Sequence, residues 1–305
     1  IVSILFYPRE RLHSRQFNRT MHKTMKYVNC NLCNRSETTL LFVKDGYKHV
    51  KCTSCGLVYV NPRLENSQET LDSFYTSGVD ADSFIEKLLK RDYSLKRQKI
   101  FTSEIEKMER YRRVNRILDI GCSFGGFLHA ARNCGWETKG IETVSEVGKY
   151  GKELYDLDIF FGTLEESNLE PSSFDVIRLN NIIEHIPDPS AFCSEIHKLL
   201  RKGGLLTVAT TNFDSFSVSI CGKNWIYFDG RHHIVLFTPV TLRELLQKSG
   251  FTTIHVHTKG FHTKINGPPR NPAQEMLFRM SGKIISQFVP FTNKGHRLRV
   301  WAEKR

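Results

Sequence analysis

Ile117-Leu118-Asp119-Ile120-Gly121-Cys122-Ser123-Phe124-Gly125-Gly126-Phe127 is the stretch whose reading decides the fold. An apolar run of strand length enters a glycine-rich turn. A helical pattern, Phe127 to Cys134, leaves it and stops at Gly135. Bare glycine lets a ligand lie close to the backbone. Ligands of open α/β sheets bind where strands end at their carboxyl side. Thr138 to Glu142 reads as the next strand, and Glu142 stands 21 residues after Gly121. An acid at that place can accept both hydroxyls of a ribose. A dinucleotide-binding fingerprint, G-x-G-x-x-G, would need glycine at 123, where the chain has Ser123. The carboxylate of Asp119 would also face a pyrophosphate badly, and it suits a cofactor that carries a cation. A nicotinamide oxidoreductase is disfavoured on both counts.

Working outward, strand and helix alternate. Ser145 reads as the cap of a helix, and Ile159 to Phe161 and Phe174 to Leu179 as strands. Pro189 to Leu200 is a helix ended by Gly203-Gly204, and Leu205 to Ala209 a fifth strand. Thr241 to Lys248 is a helix, Thr252 to His257 a strand, and His296 to Ala302 alternates like a half-exposed strand. The alternation predicts an α/β fold with a doubly wound, mostly parallel sheet over residues 113–305. Residues 63–112 read as a helical connector of two or three helices, with Phe84/Leu88 and Ile85/Leu89 at helical spacing.

Cys30-x2-Cys33 and Cys52-x2-Cys55 are separated by 18 residues. Two thiolates on one tight turn span two corners of a tetrahedron, and the second turn supplies the others. Residues 27–62 are therefore expected to form a zinc ribbon with structural Zn2+, its two short strands meeting at Asp45-Gly46. Four cysteines close the coordination sphere and leave no place for water or substrate. Cys122, Cys134, Cys193 and Cys221 show no such pairing and read as free thiols of a reducing, cytoplasmic compartment. Residues 1–26 read as a basic leader, disordered or non-native, with a start near Met25. Ile1 to Tyr7 lacks the flanks of a signal peptide, and no run is long enough to span a membrane.

The net charge of +12 is uneven. Residues 113–258 carry 14 lysines and arginines against 17 acids, and residues 259–305 carry 10 against 2. A uniformly basic surface would point to nucleic acid, whereas here the excess sits at the two ends. Solvated tails and two ends converging on a phosphate-bearing partner both remain open.

With these residues in view, the chain resembles the class I S-adenosylmethionine-dependent methyltransferases. Their D-x-G-x-G-x-G motif stands here as Asp119-Ile120-Gly121-Cys122-Ser123-Phe124-Gly125, with Ser123 replacing the middle glycine. Phe174-Asp175-Val176-Ile177, Glu184-His185-Ile186-Pro187-Asp188-Pro189 and Leu200-Arg201-Lys202-Gly203-Gly204 resemble later signatures. The resemblance implies S-adenosylmethionine as cofactor. It implies that Gly121, Ser123 and Gly125 line the methionine and ribose and that Glu142 takes the ribose hydroxyls. Asp119 would help orient the methionine amine, Asn180 would lie beside the methionine, and Thr163 and Leu164 near the adenine. The ribbon ahead of this fold resembles that of sugar and natural-product methyltransferases.

Residues 212–240 interrupt the sheet where an acceptor-side insertion is expected. Methyl transfer needs a well-placed nucleophile, and a hydroxyl or carbon acid also needs its proton removed. His233 is the first candidate base and His232 the second; buried hydrogen-bonding roles are the alternative. Trp225 and Phe237 read as core. The sequence thus points to a methyltransferase for a small molecule or glycan, at oxygen or carbon, a sugar included. An RNA methyltransferase and a catalytically silent binding protein of the same fold are the competing readings.

Overall fold

The computed structural model describes residues 25–64, 81–261, 282, 284–289 and 292–305. Most of the expected basic leader, residues 1–24, lies outside these residues, as does the start of the connector. Seven strands form the central sheet: β6 (Arg116–Ile120), β7 (Glu137–Glu142), β8 (Ile159–Phe161), β9 (Phe174–Asn180), β10 (Leu200–Thr211), β12 (Phe251–Lys259) and β13 (Arg297–Lys304). Their order is β12-β13-β10-β9-β6-β7-β8. The five strands from β8 to β10 run parallel; β13 lies antiparallel to both β10 and β12. Such strands are buried on both faces, and Ile117 to Ile120 and Phe174 to Leu179 are buried throughout, the charged Asp119, Asp175 and Arg178 included.

The helices follow from local signals. α3 (Gly126–Asn133) opens directly from the glycine turn. α5 (Pro189–Leu199) has Asp188 accepting the N–H groups of Ser190 and Ala191, with proline at the first helical position. Thr238 and Thr241 form a reciprocal capping box on α6 (Pro239–Lys248). α4 (Ser145–Tyr155) departs from expectation, because Ser145 is its first residue rather than its cap. The N–H of the capping residue, Val144, donates instead to Glu142 Oε1 at 3.0 Å. β10 also begins five residues earlier than expected, with a register shift between Leu200 and Leu205 where Gly203 takes φ +70°.

The cysteine segment folds as a ribbon. β2 (Thr38–Lys44) and β3 (Tyr47–Cys52) form a hairpin whose turn residues Asp45 and Gly46 both have positive φ. β4 (Val58–Val60) pairs β3, and a two-residue strand from the insertion, β11 (Val235–Leu236), pairs the free edge of β4. Ribbon and insertion therefore share one four-stranded sheet. A smaller pair, β1 (Met25–Lys26) with β5 (Arg63–Leu64), closes the ribbon's base. Leu57, Tyr59 and Cys52 are buried in the same core as Phe192, Leu242 and Phe251. Arg63 donates to Pro187 O at 2.7 Å, and Lys248 Nζ to Leu32 O at 3.0 Å.

Helices α1 (Ala81–Asp92) and α2 (Leu95–Glu106) lie over the front of the large sheet. Leu88 and Leu89 pack against Phe124, Val144 and Val147, whereas the side chains of Phe84 and Ile85, the other half of the expected stripe, lie outside the described residues. All eight cysteines are free of disulfides. Among the described residues no helix is long and apolar enough to cross a membrane.

Candidate active site

The turn after β6 takes left-handed backbone at Gly121, Ser123 and Gly125, with φ of 70°, 53° and 75°. A Cβ on Gly121 would fall 2.0 Å from Ile182 Cδ1, and one on Gly125 2.5 Å from Leu157 Cδ1. Both positions therefore favour glycine, because left-handed backbone is strained for other residues and a Cβ would displace these side chains. Ser123 holds the same conformation at some cost, which its N–H repays by donating to Glu142 Oε2 at 2.8 Å. Glu142 thus ends β7 buried, with one backbone donor on each oxygen. The turn and the carboxylate at the next strand end suit a nucleoside in chemistry: bare backbone lies on one side, and an oriented acceptor stands at the neighbouring strand end. Glu142→Gln keeps the shape but turns one acceptor into a donor that faces an N–H. Affinity for S-adenosylhomocysteine is expected to fall about 10–100-fold, read by calorimetry.

Asp119 is placed differently from expectation. Its carboxylate is 1% exposed and accepts from Arg178 Nη1 at 2.9 and 3.1 Å. It is tied to a neighbour in the sheet rather than presented to open space. Burial pushes Asp119 up to about 6, and Arg178 opposes that rise. Arg178 also sits 4.2 Å from the Phe127 ring and 3.6 Å from Glu104 Oε1. The guanidinium thus fixes β9 to α2 and to the helix that follows the glycine turn. Thr163 and Leu164 are likewise engaged locally. Thr163 N–H donates to Glu166 Oε2 at 2.7 Å, and Leu164 is buried in the main core.

Two residues that the sequence reading passed over steady the turn. Asp92, at the end of α1, is buried with its carboxylate on the Gly126 N–H. Tyr93 donates to Phe124 O at 2.6 Å. Asp-Tyr-Ser between two helices is an ordinary breaker in sequence, so nothing there announces the contact.

A cavity of about 1310 Å³ opens beside these strand ends. Asn180 and Asn181 at the end of β9 line it, together with Thr210, Glu184, Tyr227 and His233. Of the two candidate bases, only His233 is among its lining residues. A carbonyl can only accept, so the 2.7 Å contact of His233 Nδ1 with Tyr227 O puts the ring hydrogen on Nδ1. His185 is oriented in the same way by His232 O at 2.9 Å. His232 turns its own ring to Asp229 through a short hydrogen bond. Burial would raise the Asp229 carboxyl, but the His232 contact outweighs it and holds the group at about 2. Glu184 is fully buried, with Oε2 accepting from Thr210 Oγ1 at 2.8 Å. Burial raises Glu184, and His233 opposes the rise. Burial, then His185, lowers His233, and Glu184 partly restores it. The donor atoms of Glu184, His185 and His233 lie within 4.8 Å of one another, a compact carboxylate–imidazole set. Trp225, Phe228 and Phe237 are buried behind this wall as core.

Cys30, Cys33, Cys52 and Cys55 converge with all four sulfurs within 4.8 Å of one another. Cys30–Cys55 and Cys33–Cys52 approach to 3.4 and 3.5 Å. A tetrahedral zinc with Zn–S of ~2.3 Å needs edges of about 3.8 Å, so the four thiolates fit one ion.

The sheet order, with one antiparallel strand inserted next to the last, and the glycine turn with its acid are now in place. The family model described as "Methyltransferase domain" matches residues 86–256, more than half of the chain. The chain belongs to the class I S-adenosylmethionine-dependent methyltransferase family. Among curated relatives, the ubiquinone biosynthesis O-methyltransferase of Cereibacter sphaeroides is 31% identical over 150 residues, 46% of this chain and 61% of the relative. The enzyme of the same description from Xanthomonas euvesicatoria is 29% identical, over 44% of this chain and 62% of the relative. The chain thus spans about three fifths of the length of these relatives. Among solved structures, a S-adenosylmethionine-dependent methyltransferase from Thermotoga maritima superposes with TM-score 0.52 at 18% identity, covering 79% of this chain and all of that one. Phosphoethanolamine N-methyltransferase 2 of Haemonchus contortus gives 0.53 at 17% identity, over 81% of this chain and 62% of that one. At these identities both establish the fold.

Proposed function

We propose that this methyltransferase-family protein moves the methyl group of S-adenosylmethionine to an oxygen of a small-molecule acceptor, and that His233 takes the acceptor's proton. The small-molecule O-methyltransferase relatives support the acceptor class. A sugar hydroxyl fits the same chemistry, and the ribbon's likeness to sugar-pathway methyltransferases supports it. The observation that carries the reading is the setting of His233. It reaches the cavity with its ring hydrogen committed to Tyr227 O, so Nε2 carries the lone pair. Glu184 stands behind it to stabilise the imidazolium.

S-adenosylmethionine, when bound, supplies a methyl group on a cationic sulfur. Glu142 and the Gly121–Gly125 turn would hold its ribose and methionine portions, with Asn180 at the methionine end. Arg178 holds the Asp119 carboxylate and the front helix in place behind that site. With the cofactor bound, the acceptor oxygen would lose its proton to His233 Nε2 as the methyl carbon leaves sulfur for that oxygen and neutral S-adenosylhomocysteine departs, and placement would supply much of the rate. Tyr227 O positions the base, and His232 acts one step further back, since its carbonyl orients His185, whose ring lies 4.9 Å from that of His233, and its own ring is pinned by Asp229. Cys30, Cys33, Cys52 and Cys55 hold one structural zinc ion.

The test is transfer of label from tritiated S-adenosylmethionine into fractions of an extract of the source organism. His233→Ala is expected to lower transfer into the small-molecule fraction by about 10²–10⁴-fold, with S-adenosylhomocysteine affinity unchanged. Because burial and His185 hold His233 below its ordinary value, the base stays unprotonated further into acid. The pH–rate plateau is therefore expected to continue below ~6.5 and to fall only as pH drops through the lowered value. An unchanged rate in His233→Ala would remove the base. Label in RNA would replace the acceptor class.

A further inference from the structure

We propose that the acceptor carries an anionic group, phosphate or carboxylate, which docks on a ladder of cations formed by β12 and β13 at the far wall of the His233 cavity. This rests on the methyltransferase reading and names the acceptor chemistry of the same site.

The ladder comes from strand alternation. His255, His257 and Lys259 stand on one face of β12 and are exposed, whereas Thr258 between them is buried on the other. Their partners across the pair are Trp301, Arg299 and Arg297. Lys259 thus lies directly opposite Arg297, and His257 opposite Arg299. Like charges directly opposite on one sheet face destabilise the pair they join. Lys259–Arg297 is such a rung, with Arg299 next to it on the same face, and folding alone gives no reason to keep it.

Compensation inside the protein is thin. Arg299 reaches Glu104 at 2.9 Å, but Glu104 also serves Arg178. No carboxylate pairs with Lys259 or Arg297 among the described residues. Burial lowers the Lys259 ammonium, Arg299 and Arg297 push it down further, Glu104 restores part of the fall, and Arg97 from α2 adds to it. The rest of the lining is basic too, since Lys107 and Arg110 of the connector also line the space. In all, nine arginines and lysines and three glutamates line the cavity. Two of those glutamates are taken up, Glu104 by two arginines and Glu184 in the His233 cluster.

A cavity with walls of one sign raises the local concentration of the opposite sign. His233 and the ladder line one continuous space. An acceptor can therefore offer its hydroxyl to His233 while an anionic group further along it meets Lys259, Arg297 and Arg299. Guanidinium pairs bind phosphate and carboxylate through two parallel hydrogen bonds, and the neighbouring lysine adds a point charge. The arrangement selects against an uncharged phenol or free sugar.

The test is titration calorimetry on the full chain at low and moderate salt, with pyrophosphate, malonate and a short single-stranded RNA as probes. S-adenosylhomocysteine is titrated alongside. Wild type is expected to bind pyrophosphate or malonate, and whichever binds more tightly identifies the anion. In Lys259→Gln/Arg297→Gln that affinity is expected to fall about tenfold or more, and its salt dependence to flatten. S-adenosylhomocysteine affinity stays within twofold. Both residues are exposed, and their removal relieves a like-charge rung, so the variant's melting midpoint should equal or exceed that of wild type. Failure of wild type to bind either small anion, or equal binding by the double variant, overturns the proposal. So does RNA binding that is tighter than both small anions and lost in the variant, because the ladder would then serve a nucleic acid. Loss of S-adenosylhomocysteine binding in wild type, with anion binding intact, would sink the methyltransferase reading and leave the anion site standing.

Discussion

Cys52→Ser is expected to abolish binding of the zinc proposed for the ribbon and, with it, to loosen the wall around His233, although Cys52 is not among the residues that line the cavity. The path is structural. Cys52 is fully buried at the end of β3, and β3 pairs β4, whose other edge carries β11. Val60 N–H donates to Ile234 O at 2.9 Å, next to His233. Lys44 Nζ donates to Trp225 O at 2.9 Å, and Phe42 packs on Phe228. Structural zinc contributes roughly 10–16 kcal/mol of apparent binding energy in isolated fingers. Even a fraction of that, on the order of 5 kcal/mol, lowers the melting midpoint by about 10–20 °C in a domain of this size. The expected result at 25 °C is a chain with less than one zinc per molecule and no measurable methyl transfer. S-adenosylhomocysteine should still bind, because the glycine turn and Glu142 make no contact with the ribbon among the described hydrogen bonds. Metal content, melting and calorimetry check this. Full activity in a zinc-free chain would contradict it.

Arg178→Met is expected to cost about 3–5 kcal/mol, because it leaves a buried carboxylate without its partner. Asp119 is 1% exposed and has both oxygens on Arg178, and Glu104 loses one of its two cations. The effect has a pH signature. The Asp119 carboxyl already stands at about 6, above its ordinary value, and losing Arg178 raises it further. Between ordinary and raised values the native state holds a proton that the unfolded chain has released, so stability falls as pH rises. The variant's deficit should therefore be slight near pH 4 and grow above about pH 6, by at most ~1.4 kcal/mol per pH unit, until the pH passes the variant's raised Asp119 value. Urea unfolding at the two values measures it. A deficit that does not change with pH would mean that Asp119 is not the group left stranded.

How far the sequence foretells this molecule depends on the range of the interaction. The β6–turn–α3 passage is local: apolar strand, glycines for left-handed turns and helix follow from adjacent residues, and the structure reproduces them. The cysteine pairs are legible for the same reason, since tetrahedral ligation dictates their spacing. The Arg178–Asp119 pair spans 59 residues, so Asp119 reads as a free carboxylate when the chain is read alone. A signal was present in retrospect: Arg178 is the one basic residue in the apolar run Phe174 to Leu179, and a parallel strand buried on both faces admits a cation only with a partner. β11 was hidden by its length, because Val235-Leu236 inside an apolar segment looks like core whether or not it pairs. Ser145 misled because a serine before a helix is an ordinary cap, whereas here Glu142 satisfies the first donor. The cation ladder combines both kinds. Alternation places His255, His257 and Lys259 on one face, but only register sets Arg297 opposite Lys259.

The most direct test of the central claim is fractionated transfer of label from tritiated S-adenosylmethionine by the purified, zinc-loaded chain, with His233→Ala beside it. The account predicts label in an anionic small-molecule fraction, retained on an anion exchanger and lost in His233→Ala. Label confined to RNA or protein, or carried equally well by His233→Ala, would contradict it.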